Sequence, residues 1–201
     1  MIKLYDHPLS GNCYKVRLAL SQLGVEYERE YLDIFKGEQH GGAYQSLNPN
    51  KKIPVLIDDG FHMWESNAIL LYLGRKYSPN RLYLDDLRGF GAMAQWLFFG
   101  KTSVDPNLAV ARYFTKFTSP ADRDEKRLSE LRAQGNAVLK IMDDHLERND
   151  FLAGRYSMAD IACYPYISLA HEGGIELAPY ASVVLWCDRI RSQAGYISME
   201  D

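Results

Sequence analysis

The chain has 201 residues, 47% of them hydrophobic, and a formal net charge of -3, enough apolar content for one or two packed domains and no basic block of the kind that binds nucleic acid. No apolar run approaches the ~20 residues that span a bilayer, and Met1-Ile2-Lys3-Leu4-Tyr5 opens as a strand rather than as a signal peptide. Three well-separated cysteines, Cys13, Cys163 and Cys187, argue against a disulfide framework and for a reducing, cytoplasmic setting, while the histidines show no metal-ligand spacing, so no metal is expected.

Ile2 to Tyr5 reads as a short strand. Asn12 is placed to cap a helix from Cys13 to Leu23, with Val16, Leu18, Ala19, Leu20 and Leu23 as its apolar side and Gly24 ending it. Tyr27 to Leu32 alternates with period two, a strand pattern. Residues 37–50 form a loop rich in Gly, Asn and Pro, with a short helix around Ala43 to Leu47. Ile53-Pro54-Val55-Leu56 is the next strand, Asp58-Asp59-Gly60 a hairpin turn, and Phe61 to Trp64 its partner. Glu65-Ser66-Asn67-Ala68-Ile69 opens a helix that runs to Tyr77. The order β-α-β-(α)-β-β-α, with a right-handed parallel crossover at its start, is that of a thioredoxin-like domain over residues 1–78.

Residues 79–86 read as a linker and 87–201 as an all-α domain. Leu87 to Thr102 is one predicted helix, which Pro106 breaks or kinks before the pattern resumes to Phe117. Ser119-Pro120-Ala121-Asp122 has the N-cap, N1 and N3 residues of a helix start. Leu128, Leu131, Val138, Leu139, Met142 and Leu146 mark the apolar stripe of the helix that follows. The mixed charges from Ala121 to Arg132 are its solvated face. Ser157-Met158-Ala159-Asp160 is a capping box, Gly173-Gly174 closes its helix, and Val183 to Arg191 is a last short one.

The helix start at Ser66 is the first pointer to function. Its unpaired backbone N–H groups and its dipole favour an anion, and a strand and a tight turn lead straight into it. The ligand this suits is small, extended and carboxylate-tipped.

In this order and spacing, several short segments resemble the cytosolic glutathione transferase superfamily over essentially the whole chain. They are Leu9-Ser10-Gly11-Asn12-Cys13, Asn48-Pro49, Lys52-Ile53-Pro54-Val55-Leu56, Glu65-Ser66-Asn67-Ala68-Ile69-Leu70, and Gly154 followed by Ser157-Met158-Ala159-Asp160-Ile161-Ala162. The serine after the first strand looks most like theta-type and related bacterial members. The resemblance implies the glutathione transferase fold, an α/β thioredoxin-like domain followed by an all-helical one. It also implies glutathione as co-substrate, a small apolar electrophile or a hydroperoxide as its acceptor, a homodimer, and a role in detoxification without nucleic-acid or membrane partners.

The resemblance makes Ser10 the residue that activates the thiol. A free thiol has a pKa of ~8.5, so only about 3% is thiolate at pH 7. A hydroxyl hydrogen bond to the anion is worth roughly 1.5–3 kcal/mol, or about 1–2 pKa units. Asn12 could donate to the sulfur through its amide, although a helix cap is its simpler role. Cys13 would be the nucleophile of a thiol-transferring relative, but it falls two or three residues beyond the place where omega- and beta-type relatives carry theirs.

For the rest of the tripeptide, Lys52 and His40 would take the glycyl carboxylate. Ile53, ahead of a cis Pro54, would pair with the cysteinyl backbone as an added strand. Glu65 would hold the ammonium, and Ser66 the γ-glutamyl carboxylate. Leu9, Trp96, Phe99, Arg112 and Tyr113 are candidates for a second-substrate site between the domains, with Gly100 leaving room beside its helix. Two alternatives stand beside conjugation. One is glutathione-dependent isomerisation or thiol transfer, although zeta-type isomerases carry Ser-Ser-Cys where this chain has Ser10-Gly11-Asn12. The other is a non-catalytic binding protein of the same fold.

Overall fold

In the computed structural model, which describes residues 1–201, the first elements build a four-stranded sheet in the order β2-β1-β3-β4. β1 (Ile2–Asp6) leads through α1 (Gly11–Leu23) to β2 (Tyr27–Tyr31), which pairs parallel to it with Ile2 opposite Tyr27. β3 (Val55–Asp58) joins the other edge of β1 antiparallel, and β4 (Phe61–Trp64) follows it. Their hairpin turns through Asp59 and Gly60, with φ of 47° and 87°, the left-handed pair for which Asp-Gly is suited.

Alternation along the strands covers both faces of this sheet. Ile2, Leu4 and Leu56 pack with Val16 and Leu20 of α1 and with Ile69 and Leu73 of α3 (Ser66–Lys76). On the opposite face Leu32, Tyr44 and Val55 pack with Tyr5, Ile53 and Ile57, and Tyr44 comes from α2 (Gly42–Leu47). The expected linker is partly built in. Asn80 Nδ2 donates to the carbonyls of Gly74 and Tyr77 at 2.8 and 3.1 Å, and its Oδ1 accepts from the N–H groups of Leu82 and Tyr83.

The remaining helices form a second unit, residues 84–193; the first comprises residues 1–83 and 194–201. The last residues thus fold onto the thioredoxin-like unit rather than closing the helical one, a difference from the expected 87–201 boundary. In the helical unit, α4 (Leu87–Phe99) continues without a break into α5 (Val110–Phe117). Pro106 lies within the intervening π-helical stretch, Gly100–Ala109. Of the expected break or kink, the break is absent, because the wider turns make room for the ring against the preceding carbonyls.

The long helix α6 (Glu125–Leu146) starts later than the sequence suggests. Pro120–Asp122 make only one tight turn, because the Ser119 hydroxyl donates to Asp122 at 2.6 Å instead of capping a backbone N–H. Asp124 takes over as the cap, accepting from Arg127 N–H at 2.9 Å. α7 (Met158–Ser168) opens with the expected capping box, and α8 (Ala181–Arg191) follows. Asp160 does more than cap: its Oδ1 also accepts from Leu152 N–H at 3.0 Å and from Trp186 Nε1 at 2.8 Å, joining α7 to the preceding loop and to α8. No helix is long and apolar enough to cross a membrane.

Candidate active site

Between β1 and α1 the chain makes a tight turn that presents Ser10. The Ser10 N–H donates to His7 O at 2.9 Å, and Leu9 N–H donates to His7 Nδ1 at 3.2 Å. Ser10, extended at φ -86° and ψ 112°, is the residue that caps α1, its Oγ accepting from Cys13 N–H at 3.3 Å. This corrects the expected cap at Asn12, which lies inside the first turn. A hydroxyl that accepts through its lone pair still carries its proton. Ser10 can therefore cap the helix and donate O–H to an anion at the helix's positive end.

The start of α3 lies beside it. The buried Ser66 donates its hydroxyl to Asn12 Oδ1 at 3.0 Å, bringing the first turns of α1 and α3 together. With Oδ1 engaged, the N–H donors of the amide are what Asn12 offers a ligand. Glu65, just before the helix, has φ 71° and ψ 108°, a left-handed backbone that a residue with a side chain rarely adopts. Backbone outliers of this kind concentrate where function requires them. The first intrahelical bond runs from Ile69 N–H to Glu65 O at 3.0 Å, so the N–H groups ahead of it take no part in the helix's own ladder and point toward its N-terminal end.

The third wall is the segment ahead of β3. Tyr44 Oη and Asn48 Nδ2 both donate to Lys52 O at 2.7 Å, and Asn48 Oδ1 accepts from Asn50 N–H at 2.9 Å. These two residues fix the backbone of Lys52 while its side chain stays exposed. Neither Tyr44 nor Asn48 was assigned this role from the sequence, although Asn48-Pro49 was part of the motif. The Ile53-Pro54 bond is cis. Ile53 lies outside the β1–β3 ladder, which begins at Val55 opposite Tyr5, so its backbone is not consumed by the sheet. His40 stands exposed on a one-turn helix (Glu38–His40), its Nε2 3.3 Å from Gln39 Nε2. No hydrogen bond joins it to Ser10, Asn12 or Ser66.

All three cysteines are free and buried. Cys13 is completely enclosed and burial pushes its thiol far above the ordinary range, with the nearby Asp6 charge adding to the effect. Burial pushes Cys187 up to about 12. None of them suits a nucleophilic thiolate. No group of three or more His, Cys, Asp or Glu side chains is arranged to hold a metal ion.

The residues expected to meet a second substrate differ in setting. Leu9 is exposed next to Ser10, and Tyr113 is exposed on α5. Trp96 is buried, its ring against Phe99 at 5.1 Å and His145 at 4.8 Å. Arg112 is also buried and ion-paired with Glu172, which Lys116 reaches too. Gly100 leaves no open space: a Cβ there would stand 3.1 Å from Cys163 Sγ, so this glycine allows close helix packing.

The family model described as "Glutathione S-transferase, N-terminal domain" matches residues 1–75, and "Glutathione S-transferase, C-terminal domain" matches residues 92–194. The "Disulfide-bond oxidoreductase YfcG" of Escherichia coli is 32% identical over 96% of this chain and 91% of its own length. A glutathione S-transferase from Pseudomonas fluorescens superimposes with a TM-score of 0.94 at 36% identity, covering 100% of this chain and 99% of its own. Ure2p5 from Phanerochaete chrysosporium, cocrystallized with 1-(S-glutathionyl)-2,4-dinitrobenzene, gives a TM-score of 0.86 at 26% identity over 96% of this chain and 90% of its own.

Proposed function

The chain belongs to the cytosolic glutathione transferase superfamily, and from that premise we propose that it binds glutathione in its first unit and uses Ser10 to ionise the thiol. The observation that carries this reading is the Ser66–Asn12 bond, which brings the first turn of α3 to the first turn of the helix that Ser10 caps. The γ-glutamyl carboxylate lies on Ser66, its ammonium faces Glu65, the cysteinyl backbone runs along Ile53, and Lys52, assisted by His40, meets the glycyl carboxylate. The sulfur then reaches Ser10.

The thiolate attacks the electrophilic carbon of an apolar acceptor. A carbon–sulfur bond forms, and the leaving group departs with the bonding pair; if the reaction is an addition, the displaced pair moves to the neighbouring atom of the acceptor, which takes up a proton. Leu9, exposed one residue from Ser10, is apolar surface suited to such an acceptor. The conjugate in the Ure2p5 structure supports this outcome. A cytoplasmic homodimer acting in detoxification belongs to the same reading.

A second reading comes from the Escherichia coli relative, and the burial of Cys13 limits how it could work. If the protein reduces disulfides, as the name of its Escherichia coli relative describes, no enzyme cysteine carries the chemistry. One glutathione thiolate attacks the disulfide and releases a thiolate, and a second attacks the mixed disulfide. Two glutathiones and one disulfide thus yield two thiols and glutathione disulfide.

Titration calorimetry with glutathione tests the common premise. The wild type binds, and Lys52→Ala and Glu65→Ala each weaken binding by roughly tenfold, as loss of a charged hydrogen bond does. A folded wild type that binds no glutathione overturns the proposal.

A further inference from the structure

Residues 194–201 lie along α1 and are held there by their backbone carbonyls. Tyr14 Oη donates to Ile197 O at 2.7 Å, Arg17 Nη2 to Met199 O at 3.0 Å and Ser21 Oγ to Gly195 O at 2.9 Å. These donors sit three and four residues apart, on one face of the helix. Arg29 Nη1 adds a bond to Asp201 O at 3.2 Å, and Arg81 one to Ala194 O.

Arg17 reaches further than the others. It is completely buried, its Nε lies 3.5 Å from Asp6 Oδ2, and its Nη2 is shared between Met199 O and Pro8 O, the latter at 3.4 Å. Arg29 is a second cation on the same Asp6 oxygen. Asp6 Oδ1 and Arg17 Nη1 have no hydrogen-bond partner. A buried cation with so few acceptors depends on each carbonyl it has. One of those carbonyls belongs to the closing segment and the other to the turn that presents Ser10.

We propose that Arg17 is a positioning residue for the Ser10 turn, and that the docked segment 194–201 holds it in that role. Displacing the segment removes Met199 O and lets the guanidinium swing away from Pro8, which loosens the turn from His7 to Ser10. The inference rests on the glutathione reading for its effect on chemistry, but its effect on the turn stands apart from any ligand. The segment then governs thiol activation more than affinity, because Lys52, Glu65 and Ser66 grip the tripeptide from other elements.

Gly195→Val displaces the segment without touching Arg17. Gly195 has φ 75°, and a Cβ there would stand 3.0 Å from Gln22 Cα and Ser21 O, both backbone atoms. Arg17→Lys keeps the charge but replaces the fork by a single nitrogen. In both variants hydrogen exchange quickens at the Leu9 and Ser10 amides. The kcat falls about fivefold, the size of one displaced hydrogen bond, and the pKa of the bound thiol rises, while KM for glutathione changes less than about twofold. The double variant loses little more than either single one.

A Gly195→Val protein whose closing segment exchanges freely, but whose Leu9 and Ser10 amides, kcat and thiol pKa match the wild type, overturns the proposal. So does a loss of activity that follows global stability without a shift in thiol pKa. A wild type that ignores glutathione would defeat the functional reading alone, and the amide exchange would still decide whether segment and turn are coupled.

Discussion

The Ser66 hydroxyl donates to Asn12 Oδ1 at 3.0 Å across 54 residues of sequence, and this bond joins the positive ends of two helices. Each helix start carries N–H groups outside the helix's own ladder and about half a positive charge. Bringing the two together concentrates that potential where a peptide with a carboxylate at one end and a thiolate in the middle would lie.

If the Ser66–Asn12 bond organises the site, the two residues act as one unit on glutathione affinity. Asn12→Ala and Ser66→Ala should each weaken binding, and the double variant should lose less than the sum, with a coupling of about 0.5–1.5 kcal/mol. Calorimetry on the four proteins measures it. Strict additivity would show that each residue meets the ligand independently of the other.

His7 should make the stability of the fold depend on pH. The ring is buried, its Nδ1 accepts from Leu9 N–H, and the rings of Tyr31 and Phe35 lie 5.4 and 5.3 Å away. Burial lowers its pKa and outweighs the Asp33 and Asp6 charges, which act in the opposite direction. The folded protein therefore resists a proton that the unfolded chain accepts near its ordinary value of about 6.5. The stability contributed is complete above that value and is lost as pH falls below it. His7→Asn supplies an acceptor that does not titrate, so urea midpoints of this variant should fall less steeply than those of the wild type between about pH 7 and pH 5. Parallel curves would remove His7 from the account.

Asp160 should govern stability rather than chemistry. Both carboxylate oxygens accept N–H bonds, so an amide in their place sets a donor against a donor. Asp160→Asn should cost about 1–3 kcal/mol in chemical denaturation and leave glutathione affinity in the folded protein unchanged. Burial pushes the Asp160 carboxyl up to about 6, against its hydrogen-bond donors. Its folded value lies above the unfolded one, so this group favours folding more as pH falls from about 6 toward 4. The gap between wild type and variant should widen over that range, and a narrowing gap would contradict the assignment.

Local signals made much of this fold legible in the sequence. Asp59-Gly60 specified the hairpin, Gly24 the end of α1, and Ser157 with Asp160 the start of α7, because each depends on neighbours within a few residues. Where the sequence misled, a competing interaction decided. Ser10, not Asn12, capped α1, since Asn12 was engaged by Ser66 from a distant helix. Ser119 spent its hydroxyl on Asp122, and Asp124 capped α6 instead. Pro106 was absorbed by π-helical turns that no periodicity announces. The burial of Trp96 and Arg112 arose from His145 and Glu172, far away in sequence. Tyr44 and Asn48, which fix Lys52, carried no separate signal beyond the Asn48-Pro49 dipeptide.

The central claim is that Ser10 lowers the pKa of the glutathione thiol, and the thiolate band in the ultraviolet spectrum of the bound complex tests it most directly as a function of pH. In the wild type the bound thiol should ionise about 1–2 units below the free value of ~8.5. In Ser10→Ala, with glutathione still saturating, it should return toward that value. A bound thiol that titrates identically in the two proteins would contradict the account.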